Sequence, residues 1–409
     1  MGMVANYING YPFKPSDWGS VGLPIVRIAQ MNDALATIDY FADPLPSQYR
    51  INSRDLLFSW SATLMALIWQ RGPAFLNQHI YKVVPRNDND IRFLHHLLNG
   101  LVEPLANQSH GTTMKHITRR DMLPFPITIP LAAEQARIAL VLDTVDEAIA
   151  KTEAVIAKLK HVRAGLLHDL LTRGLDENGQ IRDPIAHPDK FQDSPLGRIP
   201  RAWETTVVAK LGDLVTGTTP PSFDHSAWGT GLPFVTPSEV SDDGEVLTPV
   251  RALSDVGRRY TRALPRGSVL VVCIGSTLGK VAVAPWDCAT NQQINTIICA
   301  KQHTSLYIAA VVRQHIRQLH RWAGLQAVPI VNKSQFGRMC VPVATAEEQH
   351  SITAILLGQN ERIRNEQAVA EKLRLLKFGL LTDLLTGHVR VPEDVEIITE
   401  RHKGEHQES

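Results

Sequence analysis

Cysteine is scarce in this chain of 409 residues: Cys273, Cys288, Cys299 and Cys340 are all of it, and all lie in the C-terminal half. No two have C-x-x-C spacing. That argues against a zinc ribbon, a dithiol redox motif and a disulfide scaffold, and fits a reducing, cytoplasmic setting. Charge of one sign is not in excess either. With 42 basic and 41 acidic side chains the formal charge is +1, which excludes a histone-like polycation but leaves local basic faces open. No apolar run approaches the ~20 residues that span a bilayer. The first residues lack a basic segment followed by an apolar core, so neither a membrane span nor a signal peptide is expected. The 44% apolar and 20% charged content is that of a globular protein, of two to four domains at this length.

Catalytic signatures are missing too. Gly275-Ser276-Thr277-Leu278-Gly279-Lys280-Val281 has a phosphate-loop look. It is one residue short between its glycines, has valine after the lysine, and lies between two expected strands. No G-x-G-x-x-G, H-E-x-x-H or G-x-S-x-G occurs. There is no Pro-Pro-aromatic methyltransferase loop, no carboxylate–lysine nuclease pattern and no convincing histidine cluster for a metal. No catalytic residue and no metal ligand is therefore expected. A recognition or scaffolding component is the reading that remains.

What the chain does have is a copy of itself. Residues 134–172 and 348–386 share 17 identities in 39 positions at an offset of 214. Upstream, Asn77-Gln78 meets Asn291-Gln292 at the same offset, and Trp18-Gly19 meets Trp228-Gly229 at 210. Each repeat is a variable globular part followed by a well-matched helical part. In the helical parts, Ile138, Leu142, Val145, Ile149, Thr152, Ile156, Leu159, Arg163, Leu166 and Leu170 alternate steps of four and three. Their counterparts are Ile352, Leu356, Gln359, Ile363, Glu366, Ala370, Leu373, Lys377, Leu380 and Leu384. This is a heptad seam with polar interruptions. A helix of that length runs ~58 Å, too long for a compact core. One such helix per repeat predicts an antiparallel pair, with Thr152, Arg163, Glu366 and Lys377 setting register. The alternative is that each helix packs on its own globular part.

The globular parts are short β-rich runs with helical stretches between them, an α+β pattern. Strands are expected at 23–28, 56–60, 80–85, 269–274, 281–284 and 294–299, and helices at 91–105 and 305–322. Residues 200–345 carry 14 Lys/Arg against 9 Asp/Glu, and residues 1–130 carry 11 against 9. Basic excess on the variable parts is what facing phosphates requires. Arg258 and Arg259 lie in a run, Arg251 to Arg266, with Asp255 its only counter-charge; a solvated loop is the other reading. Base readout needs Arg, Lys, Asn or Gln at groove edges. Asn77, Gln78, Asn291 and Gln292 are such side chains. Their presence in both halves favours a structural role over the reading of two different sequences. Specificity is expected where the halves differ. Thr218 and Thr219 face the stretch Asn9 to Lys14, Thr236 and Ser238 face Arg27 and its neighbours, and Lys333 and Ser334 face Arg119 and Arg120. Lys280 is the remaining candidate. Trp18 and Trp228 fit core positions better than base contacts.

This layout resembles the specificity subunit of type I restriction–modification systems. The marks are Gly217-Thr218-Thr219-Pro220 with Trp228-Gly229 and Leu232-Pro233-Phe234-Val235-Thr236-Pro237, and Asn9-Gly10-Tyr11-Pro12-Phe13-Lys14 with Trp18-Gly19. To these add Val271 to Lys280 before Asn291-Gln292, Ile129-Pro130 before Glu134-Gln135, Val341-Pro342 before Glu348-Gln349, and Leu196 to Pro200 with Trp203. The resemblance implies two tandem α/β target-recognition domains, 5–130 and 200–345. It places conserved helices at 131–174 and 346–388 as an antiparallel coiled-coil spacer with pseudo-two-fold symmetry; by composition, the polar, Asp- and Pro-rich stretch at 175–199 reads as a linker and the charged end at 389–409 as a flexible tail. Leu142, Ile149, Ile156, Leu159, Leu356, Ile363 and Leu373 carry the spacer seam. It implies a non-catalytic subunit that reads a bipartite target in double-stranded DNA, one block per domain. Two modification subunits would methylate adenine, and restriction (motor–nuclease) subunits would cleave. S-adenosylmethionine, ATP and Mg would belong to those partners, with no cofactor in this chain. One departure is expected to matter: the first domain has no counterpart of the lead-in from Ile199 to Leu214, so it reads as shortened and lacking an edge element. A scaffold that holds modification subunits without reading DNA is the alternative this raises.

Overall fold

The structure, a computed structural model, describes residues 1–33, 35–108, 117, 119–324 and 328–393. The chain forms two compact units, Met1–Val155 with Glu366–Ser409, and Ile156–Asn365.

The first unit is built on an antiparallel sheet in the order Ala5–Asn9, Ile80–Pro85, Leu56–Ser59, Met65–Ile68. Side chains alternate across a strand, and here each face finds its own core. Leu56 and Phe58 join Tyr7, Tyr81 and Val83 under the helix Ile91–Gly100, while Leu57 lies with Val26, Ile51, Trp69 and Leu76. That helix starts at Asp90, whose Oδ1 accepts the N–H groups of Arg92 (2.8 Å) and Phe93 (3.0 Å), an N-cap. A second sheet runs Tyr40–Phe41, Leu23–Val26, Ala74–Leu76, Arg50–Ile51, with Leu23–Val26 parallel to Ala74–Leu76.

The second unit repeats both sheets. Gly212–Thr216, Ile294–Cys299, Val269–Val272 and Val281–Val283 form the antiparallel one. Val269 and Val271 face one core, Leu270 and Val272 the other. Leu232–Val235 runs parallel to Ala289–Thr290 in the other sheet. Ala5–Asn9 thus holds the edge place of Gly212–Thr216, and the first sheet is complete. Among the described residues, the strand pairs that lack a first-unit counterpart are Phe191–Ser194 with Gly197–Pro200 and Glu204–Val207 with Cys340–Val343. What the first unit lacks is therefore these pairs and not an edge of the main sheet.

The long helices span Ala132–Thr172 and Ala346–Leu385. Between 147 and 165 the residues that are not fully exposed are Ala148, Ile149, Thr152, Ile156, Leu159 and Arg163; between 357 and 379 they are Gln359, Asn360, Ile363, Glu366, Ala370, Leu373 and Lys377. Apart from Ala148 and Asn360, all are seam positions. In the first unit Lys377 reaches Asp146 at 2.5 Å and Arg374 reaches Glu153 at 2.5 Å. Partner numbers fall as residue numbers rise, so the helices run antiparallel. In the second unit Leu170 and Leu171 share a core with Ile352 and Leu356, which has the same sense. Packing on a helix's own globular part occurs at the helix starts, where Ile138, Ala139 and Leu142 join Phe93 and Leu97. Of the polar seam residues, Lys377 bonds across the pair. Thr152 instead bonds back to the Ala148 carbonyl at 2.8 Å.

The stretch read as a linker carries regular structure. Leu175 bridges Ile181, and Phe191–Ser194 pairs with Gly197–Pro200. Of the segment read as a tail, residues from 394 on lie outside the described residues. No helix among the described residues is long and apolar enough to cross a membrane.

Candidate nucleic-acid interface

Both units carry the same turn at the rim of the main sheet. Asn77 is 8% exposed and Asn291 is 9% exposed. Each uses its Oδ1 to accept the N–H two residues on, that of His79 at 3.3 Å and of Gln293 at 3.2 Å. The Asn291 amide also donates to Gln293 Oε1 at 2.8 Å. These asparagines hold a turn, the structural role that their duplication favoured. A glycine lies against each turn. A Cβ on Gly10 would stand 2.2 Å from the Asn77 carbonyl oxygen, and one on Gly217 would stand 2.2 Å from that of Asn291. The chain leaving each edge strand can pass this close only without a side chain.

The neighbouring glutamines are freer. Gln292 is exposed, and its Oε1 accepts the Thr219 hydroxyl at 2.7 Å, so two candidates 73 residues apart meet. Thr218 is exposed beside them, its N–H donating to the Thr290 carbonyl at 2.9 Å. In the first unit, Gln78 and Arg119 line one open cleft of about 540 Å³ with Asn6, Asn9, Gln48 and Tyr49. The amides, phenol and guanidinium of that cleft are the donor and acceptor types that read base edges.

Arg27 and Thr236 occupy equivalent corners, each ahead of a short helical turn. The Arg27 N–H donates to Gln30 Oε1 at 2.9 Å, and the Thr236 N–H to Glu239 Oε2 at 2.7 Å. This sets Gln30 opposite Glu239. The Thr236 hydroxyl lies 2.7 Å from Ser238 Oγ and donates to Glu239 at 2.7 Å, so Thr236 and Ser238 form a closed polar cluster. Arg27 pairs with Asp39 and lies 4.7 Å from the Trp18 ring centre. In the second unit Arg251 covers Trp228 at 4.7 Å. The tryptophans therefore serve as platforms for arginines. Trp18, at 43% exposed, is not the core residue it was expected to be.

The remaining candidates are surface groups. Lys14, Arg120, Arg258, Arg259, Lys333 and Ser334 are exposed. Arg258 and Arg259 make no ion pair among the described residues. Lys280 is half-buried on the Gly275–Lys280 loop, 3.1 Å from Asp242, in a cleft with Ser276, Thr277, Arg313 and His320. That loop joins Val269–Val272 to Val281–Val283 and opens no helix. Burial pushes the Cys273 thiol up to about 11 and that of Cys288 up to about 12, so both stay protonated. Among the described residues no group of three or more His, Cys, Asp or Glu is placed to hold a metal ion.

Sequence reasoning missed Arg182 and Arg390. Arg182 binds the buried Glu348 at 2.7 Å, and Arg390 binds the buried Glu134. The signal was present as a second, shorter repeat. Gly179-Gln180-Ile181-Arg182 and Pro184 match Gly387-His388-Val389-Arg390 and Pro392 at an offset of 208, outside the 214 register.

Two units with the same pair of sheets, each holding parts of the same two antiparallel helices, define a duplicated recognition protein with a coiled-coil spacer. Residues 4–161 and 200–373 match the family described as type I restriction modification DNA specificity domain, and the chain belongs to that family. It is 26% identical over 373 residues to the type I restriction enzyme EcoBI specificity subunit of Escherichia coli, covering 86% of this chain and 76% of that one. Over 419 residues it is 24% identical to the putative type I restriction enzyme MjaX specificity subunit of Methanocaldococcus jannaschii, covering 91% and 88%. The fold is shared with the S subunit of a type I system from M. genitalium, at a TM-score of 0.56 and 12% identity over 93% of this chain and 94% of that one. A chain from a structural study of type I restriction–modification assembly has a TM-score of 0.56 at 17% identity, over 95% and 97%.

Proposed function

We propose that this chain is the DNA sequence-recognition subunit of a type I restriction–modification complex. It reads a split target in double-stranded DNA, one block with each recognition domain, and directs adenine methylation and restriction by its partners. The observation that carries the reading is the duplicated rim. Each unit presents one glycine-backed Asn-Gln turn, and the side chains around it differ: Gln78 and Arg119 in the first, Thr218, Thr219 and Gln292 in the second. A shared frame with different polar groups suits two blocks of different sequence. The antiparallel helices hold the gap between blocks constant, as half-site spacing follows protein symmetry.

The chain performs no chemistry in this reading. S-adenosylmethionine, ATP and Mg belong to the partners: two modification subunits and the restriction (motor–nuclease) subunits, all in the cytoplasm. Exposed apolar residues at matched positions support docking of two like partners. Val155 and Val369 are 43% and 46% exposed, and Val162 and Leu376 are 49% and 51% exposed. Both pairs keep the 214 offset and lie one heptad apart, on the exposed helix flank beside the seam. The test is co-expression with a modification subunit in a methylation-free host, followed by mapping of methyladenine. A split motif of fixed gap is expected; an assembled complex that leaves the DNA unmethylated overturns the reading.

A further inference from the structure

The second repeat has a structural counterpart in each unit. Gly179 and Gly387 both take left-handed backbone, with φ of 73° and 75°, so the chain turns back after each long helix, seven residues past Thr172 and two past Leu385. Three residues on, Arg182 forks onto Glu348, Nη1 donating to Oε1 at 2.7 Å and Nη2 to Oε2 at 3.2 Å. Arg390 donates to Glu134 Oε2 through Nη1 alone. These glutamates sit in the first turns of the long helices and are only 8% and 7% exposed. In each unit, then, the segment trailing one long helix is tied to the start of the other.

The residue after each glutamate completes the joint. Gln135 Oε1 accepts the Asp90 N–H at 2.9 Å, and Gln349 Oε1 accepts the Thr304 N–H at 3.0 Å. Both are at the first turn of the helix that covers the recognition sheet. Each Glu-Gln turn thus fastens a long helix to its recognition domain through glutamine and to the other helix's trailing segment through glutamate. The second-unit joint is the tighter. Glu348 also accepts the Leu175 N–H at 2.7 Å and the Trp203 indole N–H at 2.9 Å. The Arg182 side chain is 14% exposed, against 71% for Arg390.

We propose that Arg182 and Arg390 are positioning residues for the reading of a split target. Each latches the end of one long helix to the start of the other, and the two latches hold the helix register on which a constant gap depends. This rests on the split-target reading above. A buried carboxylate that loses its cation destabilises whatever it was paired with, so an unlatched helix is freed to shift against the other long helix.

The experiment maps methyladenine in cells expressing the full chain with a modification subunit, as wild type, Arg182→Ala, Arg182→Lys and Arg390→Ala. Arg182→Ala is expected to keep both blocks and to raise the share of sites whose gap is one base pair off by about tenfold. Arg182→Lys and Arg390→Ala should raise it less. An assembled Arg182→Ala complex with the wild-type gap alone overturns the proposal. If Arg182→Ala does not assemble, a wild-type gap in both other variants does so. A wild-type map with no split motif sinks the split-target reading instead. The latch is then judged by melting of Arg182→Ala, Glu348→Gln and their double variant. Losses that simply add overturn the pairing, and a double variant no worse than the poorer single supports it.

Discussion

Replacing Gly217 by alanine isolates the turn that frames the second recognition rim. The added Cβ would lie 2.2 Å from the Asn291 carbonyl oxygen, 2.3 Å from Thr290 Oγ1 and 2.4 Å from the Thr290 carbonyl oxygen. Two of the three are main-chain atoms, so no rotamer change relieves the clash. Overpacking of this kind costs about 1–3 kcal/mol. The displaced strand end also strains the bonds from the Gly217 N–H to the Ile294 carbonyl (3.1 Å) and from the Thr218 N–H to the Thr290 carbonyl (2.9 Å), each worth about 0.5–1.5 kcal/mol net. With both bonds weakened and not lost, the total is about 2–4 kcal/mol. At roughly 2–4 °C per kcal/mol for a unit of this size, the second unit should melt about 5–15 °C lower. Gly165→Ala and Gly379→Ala are internal controls. A Cβ there meets nothing within 4 Å, and both lie inside long helices, so each should stabilise by roughly 0.5–1 kcal/mol. Thermal melting of the purified chain checks the energies. Methylation mapping checks the site, where only one block of the target should be lost. A Gly217→Ala chain that melts with wild type and reads both blocks would refute the close-approach argument.

Leu159 is 8% exposed on the seam, and an aspartate there buries an unpaired carboxylate at a cost of several kcal/mol. Leu373→Asp, at a half-buried position, should cost less, and equal melting points for the two would count against the seam. Arg258→Ala and Arg259→Ala should each reduce the slope of log affinity against log salt by about 1 while leaving the target unchanged; a changed base preference would contradict a phosphate role. His95 is held down to about 4, chiefly by burial, with His96 and Lys377 adding to the effect and Asp146 and Asp143 opposing it. The unfolded imidazole, near 6.5, takes a proton that the folded one refuses, so first-unit stability should fall as pH drops from about 6.5 to about 4. A His95→Gln chain should lose less between pH 7 and pH 5, and an equal loss would exclude His95 as the cause.

The sequence alone determined the duplication, the seam and six of the strands, because each is a pattern written in consecutive residues. Runs 80–85 and 294–299 became strands at those same bounds. All twenty seam positions are buried or half-buried, since a heptad needs only a partner to be covered. Matched Asn77 and Asn291 were legible as structural because a residue common to both halves cannot by itself distinguish two targets. Only the tertiary structure decided what those patterns touch. It brought Gln78 to Arg119 and Thr219 to Gln292, pairings that rest on sheet order and not on spacing. It completed the first recognition sheet with Ala5–Asn9 where a missing edge was expected. It also gave Arg182 and Arg390 a role, because the contacts that define it span 166 and 256 residues. Periodicity reports which face of an element is buried; which residues meet across such distances follows from packing in three dimensions.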